Sequence, residues 1–334
     1  MALRKVTIKD VAREAGVSIS TVSNALNGVD VLHPDTKQHI LEVAERLRYI
    51  PNINGRNLKA QATKVIGLFI SSIKGPYYGI LTDSIYEECR RRGYELNIFL
   101  SDKANNMMTN ILGKRVDGAI ILNEWIKEEQ VQMLLENEIP TVFIDRKMKG
   151  PRISSVIFDS YHEGEQAAKY LLELGNKNFA FVQGVIHNYD SKERQNGFEQ
   201  VLKQAGIQLR ADYIWKGDFE REVAYHSVKD FIKTGKPLPD AIFAANDESA
   251  IGVLEALLDE GIKVPRQVSV MGCDDIELAK HVRPSITTIR TSFESQGAKA
   301  ADCLIRMIKG ETEGRIETVH GNIIPRESTC LRDR

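Results

Sequence analysis

Val6-Thr-Ile-Lys-Asp-Val-Ala-Arg-Glu-Ala-Gly-Val-Ser18, continued by Ile19-Ser-Thr-Val-Ser-Asn-Ala-Leu-Asn-Gly28, is the stretch whose reading decides the architecture. Thr7 and Asp10 have the spacing of a capping box, which starts a helix. Ile8, Val11, Ala12 and Ala15 then recur at helical spacing and give it one apolar face. Gly16 stops the helix where the chain must turn. Ser18 caps a second helix, with Val22, Ala25 and Leu26 inward and Ile19, Ser20, Ser23 and Asn24 outward. A third helix begins at Pro34, a residue suited to a first turn, and buries Ile40, Val43, Ala44 and Leu47. Two short helices joined by a glycine turn, the second with a small polar outer face, read as a helix-turn-helix. The pattern alone also fits a small three-helix bundle with no role on DNA.

Working outward, the chain of 334 residues is long enough for two or three compact units. With 42% hydrophobic and 27% charged residues it has the balance of a soluble globular protein. The net charge of −1 hides an asymmetry: through Lys64 there are ten basic against six acidic residues, and beyond it 35 against 40. A basic head on an acidic body fits a nucleic-acid contact confined to the head. Cys89, Cys273, Cys303 and Cys330 lie far apart, which suits reduced thiols rather than a disulfide framework or zinc site. No apolar run approaches the length of a membrane span, and the first residues lack the apolar core of a signal peptide. A cytoplasmic protein is expected, with no membrane partner. The seven histidines have no metal-ligand spacing, and no nucleotide-binding loop or nucleophile motif occurs. The expectation is therefore a non-enzyme with no metal and no cofactor.

From Lys64 onward, β-branched runs alternate with amphipathic helical stretches. Strands are predicted over 65–71, 96–101, 118–122, 141–145, 156–159, 179–183, 241–245, 268–272 and 287–290. Helices are predicted over 78–92, 162–174, 197–205 and 250–260. Repeated βα units imply parallel sheets covered by helices, and this many strands suggests two sheets. Such sheets bind ligands beyond the carboxyl ends of their strands. The residues there are Ser71 and Tyr77-Tyr78, Asp145-Arg146, Asp159, Asn246-Asp247 and Asp274-Asp275, with Arg194 in the helix after the strand ending near Gly184. Aromatic rings can cover the apolar faces of a sugar, while carboxylates and amides take its hydroxyls. Asp and Asn at strand ends also cap following helices, so each has a purely local alternative.

The opening string, then Thr21-Val22-Ser23 and Tyr49-Ile50-Pro51-Asn52 with Arg56 and Leu58, resembles the lactose-repressor/galactose-repressor family of bacterial regulators. In the body, Arg194-Gln-Asn-Gly-Phe198, Ala245-Asn-Asp-Glu-Ser-Ala-Ile-Gly252, Gly272-Cys-Asp-Asp275 and Pro284-Ser-Ile-Thr-Thr288 are similar to its other signatures. The resemblance implies an α/β protein with a helix-turn-helix head and a periplasmic-binding-protein-like core of two doubly wound parallel-sheet subdomains. It implies a head over 1–50, a hinge helix over 51–62, one core subdomain from 63–160 and 292–323, and the other from 161–291 and 324–334.

Carried over by position, Ile19, Ser20 and Asn24 read bases, and Thr7, Ser18, Thr21 and Asn27 contact phosphates. Tyr49, Asn52 and Arg56 complete the DNA-contacting set, and Leu58 is the hinge wedge that parts a base step. Arg194, Asn246 and Asp274 become effector contacts and Phe219 and Tyr78 ring-stacking positions, with Ser71, Tyr77, Arg146 and Asp159 completing the pocket.

Departures are Gly55 for an Ala in the hinge, Cys273 for an aromatic, Lys74-Gly75 for an Asn, and a shortened segment 102–110. The chain ends without the leucine heptad of tetrameric members, so a homodimer on a near-palindromic operator is expected. The function expected is repression of carbohydrate-utilisation genes under a sugar effector. One alternative is a phosphoprotein co-repressor, which the acidic Asp302 in Ala300-Ala301-Asp302-Cys303 would repel and for which Arg90-Arg91-Arg92 is the other basic patch. The remoter alternatives are a transport sugar-binding protein or an enzyme.

Overall fold

The computed structural model describes residues 6–26, 31–50, 62–144 and 146–332. Asn27, Asn52, Gly55, Arg56 and Leu58, together with Asp145, lie outside the described residues. The chain forms two compact units, Met1–Thr63 and Lys64–Arg334.

In the first unit, helices α1 (Ile8–Glu14), α2 (Ile19–Leu26) and α3 (Pro34–Arg46) enclose a core of Val11, Ala12, Ala15, Val22, Ala25, Ile40, Val43 and Ala44. The Asp10 carboxylate accepts from the backbone N–H of Thr7 at 3.0 Å and from its hydroxyl at 2.7 Å. That satisfies one of the donors a helix start leaves open. Ser18 Oγ accepts from the Thr21 N–H at 3.1 Å, the cap expected for α2. Gly16 turns the chain between them at φ +68°, where an L side chain would be strained. Arg46 at the end of α3 reaches Glu14 at the end of α1, 3.0 Å away.

The second unit runs β1 (Val65–Ile70), α4 (Pro76–Arg91), β2 (Glu95–Leu100), α5 (Ala104–Leu112), β3 (Gly118–Leu122), α6 (Glu128–Glu136), β4 (Thr141–Phe143) and β5 (Ile153–Phe158). It continues α7 (Ser160–Glu173), β6 (Phe179–Gln183), α8 (Tyr189–Gln204), β7 (Ile214–Lys216), α9 (Arg221–Lys233), β8 (Ala241–Ala244), α10 (Asp247–Asp259), β9 (Ser269–Met271) and α11 (Glu277–His281). It ends β10 (Thr288–Arg290), α12 (Phe293–Ile308), β11 (Ile316–Val319) and β12 (Asn322–Ile324). A six-stranded sheet has the order β11-β5-β4-β3-β1-β2, and a four-stranded sheet the order β7-β6-β8-β9. Every pairing in both is parallel. β10 and β12 pair antiparallel, and single bridges at Met271–Thr287 and Asp274–Arg290 join that ribbon to the strand-β9 end.

Counting the bridged ribbon with the second sheet, the chain changes sheets after Phe158, after Arg290 and again after Val319. Buried apolar side chains fill both sheets from within, as parallel sheets covered by helices require. β5 is buried at all six positions. Phe181, Phe198 and Phe243 pack ring to ring at 5.2–5.9 Å in the second sheet's outer layer.

Several boundaries differ from the sequence reading. α8 begins eight residues before the expected Gly197, because Tyr189–Asn196 carries few apolar residues. Its start is fixed instead by Asn188, whose side chain accepts from the Ser191 N–H at 3.0 Å. β7, β11 and β12 are three or four residues long and carry no apolar run of the kind that marks a strand.

Candidate functional site

On the head, α2 turns Ile19 and Ser20 fully outward, with Ser23 and Asn24 half-buried beside them. Ser18, Ser20 and Thr21 form a cluster of hydroxyls, with Ser18 Oγ 2.6 Å from Ser20 Oγ and 2.7 Å from Thr21 Oγ1. These are short polar groups on a helix N-terminus, where backbone N–H groups and the helix dipole favour an anion. Thr7 is exposed at the start of α1. Tyr49 packs its ring against the head core, and its N–H donates to the Ala44 carbonyl at 2.8 Å. The arrangement can place a narrow helix face with one amide in a groove of DNA and hydroxyls on the flanking phosphates.

In the second unit, Arg194, Phe219, Asn246 and Asp274 are brought together. Arg194 on α8 is buried, and its Nε and Nη2 donate to Glu163 Oε2 on α7 at 3.2 and 2.7 Å. Its Nη1 donates to the Ala245 carbonyl at 2.7 Å, at the end of β8. The next residue, Asn246, caps α10: its Oδ1 accepts from the Ser249 N–H at 3.0 Å and its Nδ2 donates to the Phe219 carbonyl at 3.1 Å. Phe219 sits at φ +64° with its ring over Gly184, where a Cβ would lie 2.2 Å from the ring. Gly184 is therefore the floor that admits the ring.

Asp274 faces this group from the turn after β9. Its carboxyl has no hydrogen-bond or ion-pair partner among the described residues. Burial and the neighbouring Asp247 hold its pKa well above the ordinary carboxylate range. For Arg194, burial works against the charge, and Cys273, Glu163, Asp190 and Asp274 outweigh it. The Cys273 thiol and the Asp274 carboxyl are themselves pushed up by burial, which leaves Glu163 and Asp190 as the balancing charges.

Asp159 extends the group: it accepts from His320 Nδ1 at 2.9 Å, and its neighbour Ser160 donates to Asp190 at 2.9 Å. Asp275, by contrast, is structural. Burial opposes its charge, but Arg326 and Arg290 overcome that and hold its pKa below the usual value.

The remaining expected pocket residues keep other company. Arg146 donates to the carbonyls of Ile126 and Asn123 at 2.6 and 2.8 Å, and its guanidinium lies over the Phe143 ring. Tyr77 donates its hydroxyl to Gln296 at 2.9 Å and packs edge-on to Phe293. Tyr78 lines a groove with Ile73, Tyr86 and Ile98 beside the edge strand β2. Ser71 is exposed after β1. Glu163 was missed in the sequence reading, although it lies on the buried row of α7 with Gly164, Ala167 and Leu171. An acid on that row is the signal that marks it.

Residues 7–52 match the model of bacterial regulatory proteins of the lacI family, and residues 168–329 match a periplasmic binding protein-like domain. The chain is 31% identical over 329 residues to the HTH-type transcriptional repressor PurR of Actinobacillus pleuropneumoniae serotype 3 (strain JL03), covering 96% of this chain and 98% of that protein. The chain belongs to the LacI family. PurR of Haemophilus influenzae (strain PittEE) is 32% identical over 315 residues, covering 92% of this chain and 93% of that one. Among solved structures, this LacI-family chain superposes on the lac repressor dimer bound to operator and the anti-inducer ONPF with TM-score 0.85 and 25% identity, over 98% of its length and all of that chain. The transcriptional regulator CelR–cellobiose complex matches at TM-score 0.73 and 27% identity, over 97% of this chain and all of that one. The expected architecture, a helix-turn-helix head on a periplasmic-binding-protein-like core, is that of the LacI family. The matched relatives are transcriptional repressors rather than enzymes, and among the described residues no helix is long and apolar enough to cross a membrane.

Proposed function

We propose that this LacI-family regulator represses carbohydrate-utilisation genes as a cytoplasmic homodimer on a near-palindromic operator, with a sugar bound between two core subdomains. The observation that carries the sugar reading is the meeting of a ring seated on glycine (Phe219 on Gly184) with the unpartnered carboxyl of Asp274 and the Arg194 guanidinium. A ring face and side chains that accept or donate in pairs are what a polyhydroxylated ligand uses. The cellobiose complex of CelR is a relative in which a sugar occupies such a regulator. The changes of sheet at 158–160, 290–293 and 319–322 support subdomains divided at 160, 291 and 323, with the ligand favouring one relative orientation of the two.

DNA reading is assigned to Ile19, Ser20 and Asn24, and phosphate contact to Thr7, Ser18 and Thr21, with Tyr49 completing the described set. Asn27, Asn52, Arg56 and Leu58 keep the same assignment from the sequence. Ser71, Tyr77, Tyr78, Arg146 and Asp159 are assigned to the pocket rim on position alone. The homodimer reading is supported by the exposed apolar residues Ile73 in the loop before α4, Tyr86 on α4 and Ile98 and Leu100 on the edge strand β2, a surface that a second copy would cover.

The basic run Arg90-Arg91-Arg92, which the phosphoprotein alternative would use, is paired with acids. Arg90 pairs with Glu87, Arg91 with Glu88, and Arg92 with both Glu88 and Asp302.

Operator binding measured with and without a panel of mono- and disaccharides tests the reading. One sugar is expected to change operator affinity, and Asp274→Ala is expected to abolish that response while leaving sugar-free operator binding intact. A fully responsive Asp274→Ala would overturn the pocket assignment. A regulator that ignores every sugar would turn the reading to a different metabolite.

A further inference from the structure

The charge around Arg194 decides more than its place. Glu163 is completely buried and Arg194 nearly so, and the two share a two-bond ion pair at 2.7 and 3.2 Å. Asp190 and Asp274 lie near enough to act on the guanidinium through space. The other cation of the expected pocket is engaged: Arg146 holds the Asn123 and Ile126 carbonyls.

An anionic group entering here would find the positive charge of Arg194 already cancelled by Glu163. The hydrogen-bond inventory points the same way. Three of the five N–H bonds of Arg194 are used, on Glu163 and Ala245, which leaves two to donate to a ligand. Against these stands the Asp274 carboxyl, which has no partner among the described residues, while Glu163 Oε1 is buried against the bend at Gly321. Acceptors need donors, and hydroxyl groups supply them while phosphate oxygens do not.

We infer that the effector is an uncharged, hydroxyl-rich compound rather than a phosphorylated one, and that Glu163 sets this preference by cancelling the charge of Arg194. The inference rests on the assignment of this cluster as the effector site. Glu163 acts as a positioning and specificity residue: it aims the guanidinium and spends its charge, and it leaves two N–H groups for a neutral oxygen. A buried ion pair stripped of one member leaves an uncompensated charge, so removing the acid should turn the site toward anions.

Thermal unfolding of the full chain is the test, with three sets of probes: neutral hexoses and disaccharides, the phosphate esters of the same hexoses, and inorganic phosphate. A ligand that binds only the folded chain raises its Tm. The wild-type chain is expected to respond to a neutral sugar and to neither phosphate probe. Glu163→Gln, which keeps the side-chain shape, is expected to gain a Tm rise with inorganic phosphate, and Arg194→Gln added to it is expected to remove that gain.

A wild-type response to a phosphate ester larger than to its parent sugar overturns the inference. So does a Glu163→Gln chain that ignores phosphate. If no sugar acts on the wild type but Glu163→Gln still gains phosphate binding, the charge cancellation stands and the sugar reading falls. Should Glu163→Gln fail to fold, Glu163→Ala takes its place, with the wild-type ester comparison read beside it.

Discussion

Asp247 opens α10 with its carboxylate entirely enclosed, accepting from the Thr288 hydroxyl at 2.6 Å and the Ile276 N–H at 3.0 Å. Gly272 leaves it room, since a Cβ there would lie 2.2 Å from Asp247 Oδ1. Burial is the largest influence on this acid and the two hydrogen bonds only partly offset it, so its pKa is pushed up to about 7. The folded chain therefore holds a proton that the unfolded chain releases above about pH 4, the ordinary Asp range. Stability from this group is full below that value and is lost as pH rises toward about 7, after which it levels. Urea unfolding of the wild type and Asp247→Asn across that window is the check. The wild type should lose on the order of a few kcal/mol relative to the variant between about pH 4 and about pH 7. A constant difference would mean that Asp247 is ionised throughout.

Residues of this kind were only half legible. Asp274, Asn246 and Arg194 stood out because they follow strand ends or sit in family motifs. Asn246 takes up the local alternative weighed for it, capping α10, and its amide also holds the Phe219 carbonyl, a bond the sequence did not announce. The ion-pair partner Glu163 was hidden by its surroundings, since an acid in a helix of mixed polarity reads as solvated until the burial of its row is seen.

At the scale of elements, α7 and α8 cross at a pair of glycines. A Cβ on Gly164 would lie 2.0 Å from the Arg194 carbonyl oxygen, and one on Gly197 1.9 Å from that of Tyr161. Backbones therefore touch where the Glu163–Arg194 pair bridges the same two helices. Gly197→Ala must push them apart. It is expected to cost about 1–3 kcal/mol of stability, as overpacking does. It should also weaken any effector response by separating the pair. Unchanged thermal stability would show that the crossing relaxes freely.

Strands that carry an unbroken apolar run, such as Gly118–Leu122 and Phe179–Gln183, were readable to the residue. β7, β11 and β12 were not. A short strand gains its identity from the neighbour it pairs with, as Ile316–Val319 does from β5, and a local pattern cannot report a partner some 160 residues away.

At the scale of the molecule, the edge strand β2 exposes Ile98 and Leu100, with Tyr86 on α4 beside them. An apolar edge left open invites pairing with other chains. Ile98→Lys is expected to give monomers in analytical ultracentrifugation. Loss of the second head should then lower operator affinity by on the order of 100-fold, through the lost effective concentration. A variant that stays dimeric would place the interface elsewhere.

The three changes of sheet have a consequence for the order in which the chain can be made. The head closes its core within Ile8–Tyr49. The first sheet lacks its outer strand until Val319 has been synthesised. The second is fastened still later, by Ser328 to the Val270 carbonyl and by Arg332 to Asn176 and to the carbonyls of Arg266 and Gln267. On the ribosome, then, a folded DNA reader emerges first and trails two unfinished sheets behind it. The first sheet closes only once Val319 is free to pair and the second is fastened only by Ser328 and Arg332, so a chain cut before Val319 would carry a closed head and two unfinished sheets.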